Sequence, residues 1–406
     1  MKRILFVDDE PRILEGLRRM LRAHRNEWEM VFATSGAEAI STLATLPFDV
    51  IVSDVRMPEM EGSELLEHVQ KHYPKMIRIV LSGYFEREAA LRAAGVAHQY
   101  LAKPCDPAKL YETIESLCRS SAILSNEAAR GLVSAIGSLP SPPQTYASLK
   151  RALQKPGVGL DEIGRIIEQD VAMTAKVLQM VNSPLFGLVC EITSVQRALG
   201  HIGLATLRQL VLTVEMFQTF EPERQIENFS LEGFQSHSRL AARIAGCLPV
   251  PAEVAQVGVI AALLHDTGKL VLAARLTEAF ERALRQSLEQ NSPLYVVEEM
   301  EIGCTHAEIG AYLMSLWGLP QSIVDAVWYH HRPSSAQHNT DGLDVVAVTH
   351  IADALAVEVA QGVAPEAAPS DVLWDLEYLE ELGVAGQIPD WRRLALEAAT
   401  PRAGKS

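Results

Sequence analysis

Apolar and polar positions along the 406-residue chain change rhythm near residue 120. Before it, apolar runs of strand length alternate with stretches of helical period. Residues 4–7 form one such run, followed by Asp8-Asp9-Glu10-Pro11. Pro11 then opens a helix that places Ile13, Leu14, Leu17, Met20 and Leu21 on one face. Runs at 48–53, 77–81 and 96–101 read as further buried strands, ending at Asp54, at Ser82-Gly83 and at Lys103-Pro104. Strands alternating with helices of ~10–15 residues predict a doubly wound, five-stranded parallel sheet of the (βα)5 kind. Beyond residue 120 the period is helical throughout. A stretch at 119–136 ends at the breaker Leu139-Pro140-Ser141-Pro142-Pro143. Helices are then predicted at 160–168, 170–182, 194–199, 205–217, 234–247, 252–274, 278–289, 295–301, 306–317, 320–331, 343–361, 370–382 and 391–399, with a polar connection at 221–229 and a disordered tail at 400–406. The expected class is α/β followed by all-α.

Composition narrows this picture. Hydrophobic residues make up 48% and charged residues 21%, which argues against long disorder. Uncharged apolar runs such as 257–264 fall far short of the ~20 residues that cross a bilayer, and Met1-Lys2-Arg3 leads straight into a strand rather than a secretory signal. Cys105, Cys118, Cys190, Cys247 and Cys304 are scattered with no CxxC pair, so reduced thiols in a cytoplasmic protein are expected. The net charge of −15 is uneven: residues 1–120 carry 16 basic and 18 acidic side chains, the remainder 20 and 33. A surface that acidic repels a phosphate backbone. Residues 161–182 imitate a helix-turn-helix, but only Lys176, Gln179 and Asn182 offer polar reach and the turn has no glycine. A packed helix pair is the better account, and nucleic acid is not an expected partner.

Chemistry is expected beyond the carboxyl ends of a doubly wound sheet, and the residues there are Asp8, Asp9, Asp54, Ser82 and Lys103. Crowded carboxylates invite Mg²⁺, a carboxylate can accept a phosphoryl group as a nucleophile, and a lysine and a hydroxyl can cradle its oxygens. Each residue alone has an ordinary reading, Asp8 and Asp9 as caps of the Pro11 helix and Lys103 as a solvated cation. Together, Val7-Asp8-Asp9-Glu10, Ser53-Asp54-Val55-Arg56-Met57-Pro58, Leu81-Ser82-Gly83 and Lys103-Pro104 resemble the receiver domain of two-component response regulators. The resemblance implies Asp54 as phosphoacceptor for a sensor histidine kinase. It implies Mg²⁺ on Asp9, Asp54 and the Arg56 carbonyl, with Asp8 acting chiefly through water. Ser82 and Tyr100 would be the switch residues, and a cis Lys103-Pro104 bond would tilt Lys103 into the site. Receivers of this kind often dimerise through their fourth and fifth elements, so a homodimer is among the expected states.

The later histidines form a second group. His265-Asp266-Thr267-Gly268-Lys269 follows an apolar run, with His237 upstream and His306, His330, His331 and Asp353 on successive helices. Histidines and carboxylates delivered into one bundle core are how dinuclear metal sites are built; helix-end and interface roles are the plainer alternatives. From about residue 131 to 331 the chain resembles the HDOD family, a branch of the HD superfamily of helical phosphohydrolases. The resemblance rests on Leu139-Pro140-Ser141-Pro142-Pro143, Ile166-Ile167-Glu168-Gln169-Asp170, Val177 to Ser183, Ile192 to Leu199, Leu263 to Lys269, Trp317-Gly318-Leu319-Pro320 and His330-His331. It implies a signalling or scaffold module that binds a protein or ligand. More distantly, His237, His265, Asp266, His306, His330, His331 and Asp353 fall where HD-GYP phosphodiesterases carry ligands for divalent metals such as Fe, Mn or Zn. The residues after His331 are Arg-Pro-Ser-Ser-Ala, not Gly-Tyr-Pro, so an element of that substrate site is missing. The resulting partition is a receiver at 1–120, a helical linker at 121–130, an HDOD domain at 131–335 and a helical extension at 336–399. Its leading function is a phosphorylation-switched signalling protein; the alternative is a phosphorylation-gated phosphohydrolase of nucleotides or cyclic dinucleotides.

Overall fold

The computed structural model describes residues 1–83, 96–120, 123–136, 139–141, 143–155, 157–183, 191–212, 218–219, 226–336 and 342–400. The apolar runs become a five-stranded parallel sheet of β1 Lys2–Val7, β2 Trp28–Ala33, β3 Val50–Asp54, β4 Ile77–Ser82 and β5 Gln99–Ala102, in the order β2-β1-β3-β4-β5. β3 and β4 are buried along their whole length, whereas β2, at one edge, buries only its two ends. The strands at 48–53 and 96–101 are thus shorter than expected and shifted toward their carboxyl ends. Helices Pro11–Met20, Gly36–Leu43, Gly62–His72 and Pro107–Arg119 cover the sheet. The last opens on Pro107, with the Asp106 carboxylate accepting from the Ala108 and Lys109 amides.

Of the helix expected at 119–136, only Glu127–Ser134 forms. The preceding helix Pro107–Arg119 ends where the expected one begins, and Glu127–Ser134 starts where the Asn126 side chain accepts from the Ala128 and Ala129 amides. The expected helix at 252–274 also divides, into Ala252–Leu264 and Thr267–Arg275, with His265 and Asp266 at the break. Ala252–Arg275 is long and apolar enough to cross a membrane by length and composition alone, but 78% of its most apolar window is buried inside the protein, the mark of a core segment. The pair Leu160–Ile167 and Val171–Asn182 packs into the bundle, and every residue from Val171 to Val181 is buried, Lys176 and Gln179 included. Those two side chains are internal and cannot reach a base edge in this packing. The extension folds back on the bundle. Arg392 of Ile388–Ala399 forms a buried two-bond ion pair with Glu358 of Val345–Gln361 (2.6 and 2.7 Å), and the Trp374 indole donates to the same carboxylate. Of the helix expected at 370–382, only Leu376–Glu381 forms, capped by Asp375. The expected tail, the end of the 205–217 helix and most of the 221–229 connection lie outside the described residues.

One apolar core runs from the sheet into the helical region without interruption, linking Ile4 through Leu101 and Leu117 to Leu313, Trp317 and Val327. At the seam, Arg78 of β4 is fully buried. Its guanidinium donates to the carbonyls of Val96 (2.5 Å), Met76 (3.2 Å) and Ser134 (2.6 Å). His98 accepts the Arg78 amide at Nδ1 (3.1 Å), so its proton sits on Nε2 and is donated to the Ser134 carbonyl (2.8 Å). Burial, then the Arg78 charge, pushes His98 well below the usual imidazole range, and burial lowers Arg78 to about 9. In the described part of the expected 121–130 linker, Ile123, Leu124 and Ala129 are buried in this core and the Asn126 side-chain amide donates to the Ile302 carbonyl (3.0 Å), so residues 123–130 are packed against the bundle.

Candidate functional site

The carboxyl ends of the strands bring the first constellation together. Asp8 follows β1, Asp54 ends β3, Ser82 ends β4 and Lys103 follows β5. Ligand atoms of Asp8, Asp9 and Asp54 all lie within 4.8 Å of one another. Lys103 Nζ lies 2.6 Å from Asp54 Oδ1 and 2.7 Å from Asp8 Oδ2. Burial opposes the ammonium, but Asp54 and Asp8 outweigh it and raise the Lys103 pKa. The Lys103-Pro104 bond is cis. Gly62 lies against the Asp54 carbonyl so closely that a Cβ would overlap it, which fixes the backbone of the central aspartate. Arg56 lies in the loop after β3, two residues beyond Asp54. Ser82 is buried and donates to the Gly83 carbonyl (3.2 Å). Tyr100 is buried on β5, and burial raises its phenol pKa strongly despite the counter-pull of Arg78.

The second constellation is formed by all seven output-domain candidates. Asp266, His306, His330 and His331 offer ligand atoms within 4.8 Å of one another, and His237, His265 and Asp353 do the same. Asp266 joins the two groups. Its Oδ1 is 3.2 Å from His306 Nε2 and 3.8 Å from His330 Nε2, and its Oδ2 is 3.4 Å from His265 Nε2 and 3.7 Å from His237 Nε2. Asp353 reaches His237 Nε2 (3.0 Å), His265 Nε2 (3.3 Å) and His331 Nδ1 (3.7 Å). It is buried, not a surface acid.

Hydrogen bonds outside the cluster set the tautomers. His265 Nδ1 lies 2.7 Å from the Ala262 carbonyl and His330 Nδ1 lies 2.8 Å from the Val327 carbonyl. A carbonyl only accepts, so Nδ1 carries the proton and Nε2 faces the centre. His306 is held by Glu298, whose Oε2 accepts both Nδ1–H (2.6 Å) and the His306 amide (2.8 Å). Fixed imidazoles backed by a carboxylate or carbonyls are the outer-shell pattern of metal-binding histidines. The donors also fit a cation electrostatically. Asp266 Oδ1 and His330 Nε2 are buried without a hydrogen-bond partner, and two pairs of ring nitrogens face each other, His237 with His265 (3.2 Å) and His306 with His331 (3.0 Å). Burial works against charging His265, yet Asp266 and Asp353 outweigh it and push its pKa up to about 10. Burial, then neighbouring His265, pushes His330 down to about 3. Lys269 Nζ is 2.6 Å from Asp266 Oδ2, so an ammonium and protons balance the carboxylates.

Nothing in the sequence singles out Glu298, one acid among Glu298, Glu299 and Glu301 on one helix; only its complete burial distinguishes it. In front of the cluster lies a cavity of about 390 Å³. Phe229, Phe234, Phe280 and Tyr295 give it apolar and aromatic walls, and Lys269 gives it a cation. The Arg-Pro-Ser-Ser-Ala segment forms a short 3-10 turn, Pro333–Ser335.

Two family models match the chain: the response regulator receiver domain over residues 4–115 and the HDOD domain over residues 139–333. An uncharacterized protein of Treponema pallidum is 28% identical over 207 residues, spanning 50% of this chain and 39% of that protein. The hydrogenase transcriptional regulatory protein HoxA of Cupriavidus necator is 39% identical over 114 residues, 27% of this chain and 23% of its own. The chain thus spans well under half the length of either curated relative. Among solved structures, the MmoQ response regulator from Methylococcus capsulatus is 24% identical with a TM-score of 0.49, covering 64% of this chain and 98% of that one. With both domains matched in this order along one chain, the protein belongs to the response regulators, carrying an N-terminal receiver domain and a C-terminal HDOD domain.

Proposed function

We propose that phosphorylation of Asp54 by a partner sensor histidine kinase switches the HDOD domain between states that differ in affinity for a protein or ligand. The observation that carries this reading is Lys103 Nζ held between Asp54 and Asp8 at 2.6 and 2.7 Å. In the transfer, an Asp54 carboxylate oxygen attacks the phosphorus of a phosphohistidine. The P–O bond forms, the P–N bond breaks and the imidazole leaves, taking up a proton. Lys103 would shift its ion pair from Asp54 to the phosphoryl oxygens, and the Ser82 hydroxyl would turn toward them. Mg²⁺ on Asp9, Asp54 and the Arg56 carbonyl, with Asp8 acting chiefly through water, would supply neutralisation of the gathering negative charge. The test is labelling by acetyl phosphate in the presence of Mg²⁺: the intact protein is labelled and Asp54→Asn is not, because an amide is not a competent nucleophile. Labelling that survives in Asp54→Asn would mean the acceptor is another residue.

A second reading is favoured by the seven-residue cluster and the cavity before it: a metal-dependent phosphohydrolase gated by the same phosphorylation. His306, His330 and His331 would hold one cation, His237, His265 and Asp353 another, with Asp266 between them. Divalent metals there would supply Lewis-acid activation of a phosphate ester. Lys269 is placed to bind a phosphate oxygen, and the aromatic walls to exclude water and pack against the rest of the ligand. Metal analysis of the purified protein, joined to turnover assays on nucleotides and cyclic dinucleotides, separates the readings. A protein that retains no metal and turns nothing over leaves the binding-module reading alone.

A further inference from the structure

The helix His306–Leu316 touches both halves of the protein at its two ends. At its first residue, His306 lies in the cluster, with Nε2 3.2 Å from Asp266 Oδ1 and its ring and amide fastened to Glu298. There the backbone is clamped as well. Gly268 abuts the His306 carbonyl so closely that a Cβ would overlap it, and Gly310 packs onto the Gly268 amide. At its last residue, the Leu316 carbonyl accepts from Gln99 Nε2 of β5 (3.3 Å). Gln99 fits there because position 318 is glycine, at φ +68°, where any Cβ would overlap its amide. Tyr312, one turn earlier, pairs with Ser134 (3.2 Å), the residue whose carbonyl receives Arg78 and His98. Nine of the helix's eleven residues are buried.

β5 runs from Gln99 through Tyr100 to Ala102, and Lys103 directly after it holds Asp54. Two stiff elements in series, a strand of about 13 Å and a helix of about 16 Å, therefore join the phosphoacceptor to a histidine of the cluster. A helix enclosed in a close-packed interior shifts as a body and does not bend to absorb displacement at one end. Metal ligation tolerates only about ±0.2 Å, so a small translation of this helix alters the cluster.

We propose that the His306–Leu316 helix is a strut through which Asp54 and the His/Asp cluster set each other's ligand affinity, an inference that rests on the cluster binding a divalent cation. The structure has Lys103 on Asp54, the unphosphorylated arrangement. Moving Lys103 to a phosphoryl group pulls on β5, and Gln99 carries the displacement to Leu316. Linkage requires the reverse effect to be of equal size.

The experiment uses the full chain with Mg²⁺ in excess to fill the acidic triad. Co²⁺ is titrated by the visible absorption of histidine-bound cobalt, with and without beryllofluoride as the phosphoryl analogue, its uptake followed by fluorine NMR. The expected result is a change in Co²⁺ affinity of about five-fold or more on beryllofluoride binding. In Gln99→Ala the change should fall below about two-fold while both ligands still bind, and amide exchange across 306–316 should cease to respond to beryllofluoride. Equal Co²⁺ affinity in the two states, or a full response in Gln99→Ala, overturns the strut while leaving the metal reading intact. No histidine–cobalt absorption in either state overturns the metal reading and the strut together, and no beryllofluoride uptake does the same for the phosphorylation reading.

Discussion

Replacing Lys176 with methionine should stabilise the protein at neutral and acidic pH, and by an amount that depends on pH. Lys176 is 1% exposed on a helix buried on every side, with its ammonium 5.5 Å from the centre of the Trp317 ring. Burial lowers its pKa from 10.5 to about 7. At about 1.36 kcal/mol per pH unit, that depression corresponds to about 5 kcal/mol for holding the charged form inside. The Trp317 ring face and the ammonium's other contacts return part of this, so about 5 kcal/mol is the upper limit of the cost below pH 7. The sign follows from proton counts. Between pH 7 and 10.5 the unfolded chain binds more protons at this residue than the folded one, so the cost fades as pH rises through that window. Lys176→Met has similar length, no charge, and a sulfur suited to the Trp317 ring. Urea unfolding of both proteins at pH 6 and pH 9.5 is the assay. The variant should be more stable at pH 6 by about 2–4 kcal/mol, and its advantage should shrink by about 3 kcal/mol at pH 9.5. A variant less stable than the parent at pH 6, or an advantage independent of pH, would refute the reasoning. Either result would mean that the contacts of the ammonium offset its burial in full.

Three further outcomes follow from contacts already described. Glu298→Ala removes both bonds to His306 and should weaken Co²⁺ or Mn²⁺ binding at the cluster by about 10–100-fold, read by equilibrium titration; unchanged affinity would remove Glu298 from the site. Gly268→Ala places a methyl group against the His306 carbonyl and should lower stability by about 2 kcal/mol or more, seen as a drop in Tm, because backbone rather than a flexible side chain must move. Arg392→Ala strands the buried Glu358 carboxylate and should cost about 3–5 kcal/mol, whereas the double change Arg392→Met with Glu358→Leu should recover most of it.

The sequence carried the sheet and both constellations further than it carried the joints between them. Val50–Asp54 and, Arg78 apart, Ile77–Ser82 are buried on both faces and read as near-continuous apolar runs. Trp28–Ala33 does not, because an edge strand with half-buried middle positions shows neither an unbroken apolar run nor clean alternation. The break at His265-Asp266 left no trace in the periodicity, since it contains neither glycine nor proline. Asn126 ahead of Glu127 was a readable cap signal, obscured by the helical composition on both sides. Lys176 had the look of a solvent-reaching cation because burial of an all-round apolar helix depends on neighbours distant in the chain. Arg78 is the plainest case: an arginine inside an otherwise apolar strand flags an unusual environment, but the Ser134 carbonyl that receives it lies 56 residues away. Convergence of seven residues spread from His237 to Asp353 was signalled by Asp266 after His265 in an apolar run, where an unpaired carboxylate is costly, but the full set was legible through family resemblance, since spacing alone does not fix how helices pack.

The seam at Arg78 also limits how this protein can be cut and recombined. A receiver excised near residue 120 would lose the Ser134 carbonyl, leaving the now-buried Arg78 guanidinium and His98 imidazole without that acceptor. Grafted onto a different output, it would meet no carbonyl in that position and no glycine to admit Gln99. Exchange of domains at this junction would therefore have to carry the Glu127–Ser134 segment and the surface of the His306–Leu316 helix with it. Receiver and output form a matched pair, and their pairing is inherited as a unit or rebuilt residue by residue.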